Sequence, residues 1–290
     1  TLPLVLLGPE LARLAPSEVL LSEKSFQDLD PIIVESGAAS TPISASTFDS
    51  TSAKSRLLKT FKLATLDSHG GFSRAELSAL GAIVDYLDIT QKGSLPLLKP
   101  PKRHIIAKTM QIDAATRRNL ELTHALSGTR NGSLLAAIDQ TLTAAGGRLL
   151  EHRIGSPSLD IDVLNNRQNA ISALIAQSAV LDKLRGHLRH SPDVARALSR
   201  LALNRGGPRD LGSIRSALCQ AEAITDVMQA TPLCPELETV YQKLIGHTDL
   251  IDLLLKALKE DLPLLLRDGG FVAAGFEPDL DHARHLRDEG

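Results

Sequence analysis

Aromatic side chains are scarce in this sequence: they make up 3% of 290 residues, with no tryptophan. A chain so poor in flat rings lacks the stacking platforms that grip single-stranded nucleic acid. Cysteine is nearly absent. Cys219 and Cys234 have no Cys-x-x-Cys spacing, so zinc is not expected and both read as reduced structural thiols of an intracellular protein. Charge of one sign is missing too. Lys and Arg number 32 against 34 Asp and Glu, a formal net charge of -2, so attraction to nucleic-acid phosphate is not built into the whole surface and any basic face is local. Long apolar runs are lacking. Leu4 to Leu7 is closed by Gly8-Pro9, far too short for a signal peptide or a membrane span, and a soluble, cytoplasmic protein is the expectation.

Catalytic motifs are missing as well. No Gly-x-x-x-x-Gly-Lys-Ser/Thr occurs to cradle a nucleoside triphosphate, no Gly-x-Gly-x-x-Gly, and no Gly-x-Ser-x-Gly. The chain reads as no enzyme, with no cofactor and no metal of its own.

What is present is ordinary globular material. Hydrophobic residues are 43% and charged residues 23%, too apolar for disorder, and the length suggests two domains. Glu18 to Leu21 is a short apolar run that suits a buried strand, and the Ser- and Thr-rich stretch from Gly37 to Ser52 reads as loop with one edge strand around Ile43. Two helices follow. Ala53, Leu57, Leu58 and Phe61 share one face, and Ser73-Arg74-Ala75-Glu76 is a capping box opening a helix whose apolar face is Leu77, Leu80, Val84 and Leu87, with Gly93 past its end. Pro100-Pro101-Lys102-Arg103 is a stiff break. It divides the chain into residues 1–100, mixed α/β, and 104–290, nearly all helical.

In the second part Leu134, Leu135, Ile138, Leu142, Ala145 and Leu149 form one stripe at helical spacing, as do Leu211, Ile214, Leu218, Ala221, Ile224 and Met228. Ser191-Pro192 reads as an N-cap with proline at the first helical position, and Gly206-Gly207-Pro208 ends one helix and starts the next. Phe271 to Ala273 reads as a short strand and Asp279 to Asp288 as a helix. Helices with one apolar stripe each must pack on one another, which predicts a bundle. Gly146-Gly147 interrupts the first stripe. Each glycine costs about 1 kcal/mol of helix propensity, and close approach of another helix is the expected compensation.

Two His-x-x-His pairs, His187 with His190 and His282 with His285, place imidazoles on one helical face. Without a third ligand they read as surface histidines rather than a metal site. The strongest charge feature runs from Lys183 to Arg209. It holds Arg185, Arg189, Arg196, Arg200, Arg205 and Arg209 with the single acid Asp193. On one surface these would meet phosphate or an acidic partner; spread round two helices and the corner between them, they are solvated side chains, the commoner arrangement.

Several stretches, in order, resemble the MutS family of DNA mismatch-repair proteins. Met110 to Leu122 (MQIDAATRRNLEL) resembles the segment that opens the family's core domain, and it is followed by Gly132-Ser133-Leu134-Leu135, Arg148-Leu149-Leu150 and Arg167. Arg200 to Leu211 resembles the family's helix-corner-helix pattern, and Leu266 to Gly270 with Gly275-Phe276 and Leu280-Asp281 its approach to the clamp domain. Ala15 to Leu21, Leu66-Asp67 with Gly70, and Tyr86-Leu87 with Thr90 to Gly93 resemble its connector. The resemblance covers nearly the whole chain. One departure is Glu151-His152-Arg153-Ile154, where the family carries a bulky aromatic.

The resemblance implies a ribonuclease-H-like α/β connector joined to an all-α core with long levers. It also implies a fragment cut from a longer chain: the family's Phe-x-Glu mismatch wedge does not occur here, its connector begins with strands upstream of Thr1, and its ATP and Mg sites belong to a C-terminal domain beyond Gly290. The implied role is a relay between DNA clamp and ATPase, docking a MutL-like repair factor within a homodimeric parent that binds duplex DNA. Lys54, Arg56 and Lys59, taken to share the exposed side of their helix, are the candidate docking residues. The alternatives are a duplex-DNA-binding module acting through residues 183–209, and a plain helical scaffold.

Overall fold

The structure, a computed structural model, describes residues 2–67, 70–93, 95–103 and 108–289. Two compact units emerge, one of residues 1–140 with 148–161 and one of residues 141–147 with 162–290. The stiff break expected at Pro100 to Arg103 lies within the first of these units.

The first unit opens with α1 (Leu7–Leu14), then β1 (Glu18–Ser22), α2 (Phe26–Glu35) and β2 (Ala39–Ile43). The two strands pair in parallel, Glu18 opposite Ala39 and Ser22 opposite Ile43. Parallel neighbours need a crossover, which α2 supplies. The strand expected at Glu18 to Leu21 is there, although Leu21 alone in it is fully buried. It packs with Leu11, Ile33 and Ala38 into one small core. Helices α1 and α2 are not expected from the sequence; Gly8-Pro9 lies in the first turn of α1, where a missing proline N–H costs nothing.

A second core forms where α3 (Ser50–Phe61) lies against α4 (Arg74–Thr90), burying Leu57, Leu66 and Val84. The expected capping box is formed: Glu76 N donates to Ser73 Oγ at 3.3 Å and Ser73 N to Glu76 Oε2 at 2.7 Å. The two helices touch where Gly81 faces Ala53, so closely that a Cβ on Gly81 would sit 2.3 Å from the Ala53 Cβ.

After the proline break the backbone is less helical than its composition predicts. α5 spans only Ala114–Asn119. Glu121 then takes a left-handed conformation and its carboxylate accepts the Leu126 N–H at 2.6 Å, while Gly128 at φ +80° closes a turn in which Ala125 N donates to Thr129 O. Residues 108 and 110 pair antiparallel with 157 and 159 in short backbone bonds.

The single helix expected from Leu134 to Leu149 is two. α6 (Leu134–Ile138) ends at Asp139, whose extended backbone (ψ 103°) breaks the spiral, and α7 (Ala144–Gly155) starts afresh. The Thr143 hydroxyl accepts the Gly146 N–H at 3.0 Å, as an N-cap does. The predicted helix neighbour at Gly146-Gly147 is not found. The atoms nearest those glycines belong to Thr141 and Thr143, and glycine in a first turn forfeits less than in a helix interior.

The second unit is helical: α8 (Ile161–Ile175), α9 (Ser178–Arg189), α10 (Val194–Ala202), α11 (Pro208–Gln229), α12 (Pro235–Leu244), α13 (Thr248–Ala257) and α14 (Pro278–Glu289). α10 begins two residues later than Ser191-Pro192 predicts, because Asp193 is its cap and accepts the Arg196 N–H. Gly206-Gly207-Pro208 acts as expected: α11 starts at Pro208, and Asp210 Oδ2 accepts the Gly207 N–H at 2.8 Å. Ala197, Ile214, Leu254 and Leu258 form the core of this unit. The short strand expected at Phe271 to Ala273 is a single bridge between Val272 and Leu258. Among the described residues no helix is long and apolar enough to cross a membrane.

Candidate functional site

The six arginines of residues 185–209 all lie in the second unit, and the structure gathers only some of them. Arg189 and Arg209 line one hollow of about 590 Å³ with Arg215, but Glu260 and Asp261 line it too. Arg209 Nε donates to Leu262 O at 3.1 Å, and Arg215 Nη1 to Leu258 O and Lys259 O at 3.0 and 2.9 Å. Arg200 is paired with Asp210 at 3.1 Å and also donates to Arg205 O. Arg185 is half-buried, whereas Arg196 and Arg205 are exposed away from the hollow. The result is a mixed-charge surface. Arg215 escapes the sequence reading because proximity along the chain, not in space, defines the run.

On α3, Lys54 and Lys59 are exposed, while Arg56 is not their companion. Its Nη1 donates to Gly81 O at 2.8 Å and its Nε lies 3.5 Å from Asp85 Oδ1, so it ties α3 to α4. Helical geometry explains this. A residue one before buried Leu57 and three after buried Ala53 flanks the packed stripe rather than opposing it.

A second site is not legible in the sequence. Within the first unit, α1, α5 and α7 with the turn at residues 123–128 enclose a cavity of about 520 Å³. Arg13, Arg117, Arg118 and Arg148 line it, with His124, His152 and the single acid Glu151. Arg13 is clamped by Glu10 and also donates to Ser156 Oγ at 3.1 Å. Arg117 Nη1 donates to Gly155 O at 2.7 Å, but its Nε and Nη2 are buried without an acceptor. Burial, and then the nearby positive Arg13, pull Arg117 below the usual arginine value, with Glu10 opposing them; an arginine keeps its charge nonetheless. Arg117, Arg118 and Arg148 stand in stretches that mark the resemblance, yet no local pattern shows that they converge.

Three of the four histidines in these pairs have a ring nitrogen beside another group. His187 Nδ1 lies 3.0 Å from Gln220 Oε1, His190 Nδ1 2.9 Å from Gly186 O, and His285 Nε2 3.0 Å from Glu289. Among the described residues no cluster of three or more His, Cys, Asp or Glu could take a metal ion.

Comparison with known proteins gives this geometry a context. The family model for MutS domain II matches residues 5–99, and that for MutS domain III matches residues 115–287, more than half of the chain. The chain belongs to the MutS family. It is 54% identical over 284 residues to the DNA mismatch repair protein MutS of Roseobacter denitrificans, covering 98% of this chain and 32% of that protein. The MutS proteins of Cereibacter sphaeroides (strain ATCC 17025) and Paracoccus denitrificans are each 54% identical as well, over 288 and 284 residues. The chain spans about a third of the length of these relatives. The MutS domain matches leave residues 100–114 between them, and spatial compactness groups α5 to α6 with the domain II residues. The cavity therefore has walls from both MutS domains, α1 from domain II and α5 and α7 from domain III.

Proposed function

We propose that this chain is the connector and core portion of a DNA mismatch-repair protein, with residues 1–100 a ribonuclease-H-like connector and 104–290 the helical core. The observation that carries this is the match to domain II followed by domain III across nearly the whole chain. The parent is an ATPase that uses ATP and Mg, acts as a cytoplasmic homodimer on mismatched duplex DNA, and passes conformational change through its rigid helices. The connector and core do no chemistry themselves. The connector docks a MutL-like factor, with Lys54 and Lys59 on α3 the contact residues.

The test is titration of the labelled chain with the N-terminal ATPase domain of the matching MutL protein at near-physiological salt. Saturable binding that falls at least tenfold on Lys54→Glu/Lys59→Glu is expected, the magnitude of losing two charge contacts. Unchanged affinity removes the two lysines from the interface, and no binding removes autonomous docking. Direct duplex binding through residues 183–209 is the second reading; Arg189 and Arg209 share one hollow with Arg215, against Glu260 and Asp261. It requires affinity that falls steeply with salt as counterions are released. Affinity indifferent to salt rules it out.

A further inference from the structure

We propose that the arginine-lined cavity of the first unit binds a small phosphate-bearing ligand, its phosphoryl oxygens held by Arg117, Arg118 and Arg148. Three observations converge. The first is an unmet need. Arg117 Nε and Nη2 carry three N–H donors, buried and without acceptors, and buried polar groups left unpaired are rare and costly, most of all charged ones. An oxyanion bound in the cavity that Arg117 lines would offer the acceptor those donors lack.

The second is charge. Arg13 is balanced by Glu10, which leaves Arg117, Arg118 and Arg148 with Glu151 as the other charged residues of the lining, a formal excess of about two positive charges. One carboxylate on a ligand would balance only half of this excess. A phosphoryl group carries close to two charges and three oxygens, which suits planar guanidinium forks that bond in pairs. The third is size. About 520 Å³ is far more than an isolated phosphate fills and within the range of small-molecule sites. Ala12, Leu14 and Leu126 give part of the wall an apolar character. The ligand is therefore a phosphoryl group on an organic body of mononucleotide size.

The experiment is calorimetric titration of the 290-residue chain with AMP, inorganic phosphate and adenosine. AMP is expected to bind saturably, phosphate to bind more weakly and compete with it, and adenosine not to bind. Arg118→Gln, at an exposed residue, is expected to weaken AMP at least tenfold with its helical circular-dichroism signal unchanged. Arg117→Gln should do the same or more, and if that variant unfolds, Arg118→Gln alone decides. Lys24→Gln, exposed on the same unit, should leave affinity within twofold. Absence of AMP binding, adenosine binding as tightly as AMP, or equal loss in the Arg118 and Lys24 variants overturns the proposal.

Discussion

At the scale of single residues, Glu76 does three things at once. It caps α4 through Ser73, it pairs with Arg103 at 2.6 Å, and through that pair it pins the end of the proline-rich stretch to α4. The Arg103 hydrogen bond first, then the Ser73 N–H, hold its carboxyl at about 2, against an ordinary value of 4.5. The folded chain thus keeps Glu76 ionised at a pH where the unfolded chain has taken up the proton. Its stabilisation is complete above the ordinary value and is lost as the pH falls through about 2. Glu76→Gln should lower the urea midpoint near neutral pH, and the gap from the parent should close as the pH is lowered from 5 to about 2. A gap of constant width would mean that the charge of Glu76 is not what stabilises the fold.

At the scale of elements, the α3 and α4 pair depends on Gly81. A methyl there would meet the Ala53 Cβ at 2.3 Å and its Cα at 2.9 Å, so backbone must move. Overpacking of this kind costs about 1–3 kcal/mol, against which alanine returns about 1 kcal/mol of helix propensity. Gly81→Ala should therefore destabilise by up to roughly 2 kcal/mol in urea denaturation. Gly212→Ala in α11 is the contrast. There the obstruction is the tip of Leu262 at 2.4 Å, free to turn aside, and the change should stay within about 1 kcal/mol of neutral.

The same elements show what the sequence makes legible. α3, α4 and α11 are readable because each has its own cap and an uninterrupted stripe. The Leu134 to Leu149 stripe misleads because periodicity does not register Asp139 turning extended between two runs that happen to be in phase. α5 is shorter than its composition suggests because the stop lies in Glu121 and Gly128, where a side-chain bond and a left-handed turn replace helix. As for the sites, the run of arginines is visible in the sequence but its division is not. Pairing with Asp210 and lining by Glu260 and Asp261 are long-range facts. The cavity needs Arg13, Arg117 and Arg148 brought together from three parts of the chain.

At the scale of the whole molecule, burial is thin for a chain of this length. Ile161, Ile171 and Ile175 on α8 are 70%, 57% and 66% exposed, and Leu253 and Leu255 on α13 about half exposed. With a net charge of only -2, little long-range repulsion keeps copies apart. Any route to ordered self-association must then be closed locally, and the sheet is one such place. Ala39 donates its N–H to Ser17 O across the ladder. By the two-residue alternation of a strand, Thr41 and Ile43 also aim theirs at β1, and Ser40 and residue 42 aim outward. Among the described residues no strand covers that outward side. Residue 42 is proline. It forfeits no bond to β1 and denies a donor to any strand arriving from outside. Pro42 thus works as a gatekeeper against fibrillar stacking: Pro42→Val should fold as the parent does yet shorten the lag of thioflavin-positive aggregation, and an unchanged lag would show that the edge is harmless without it.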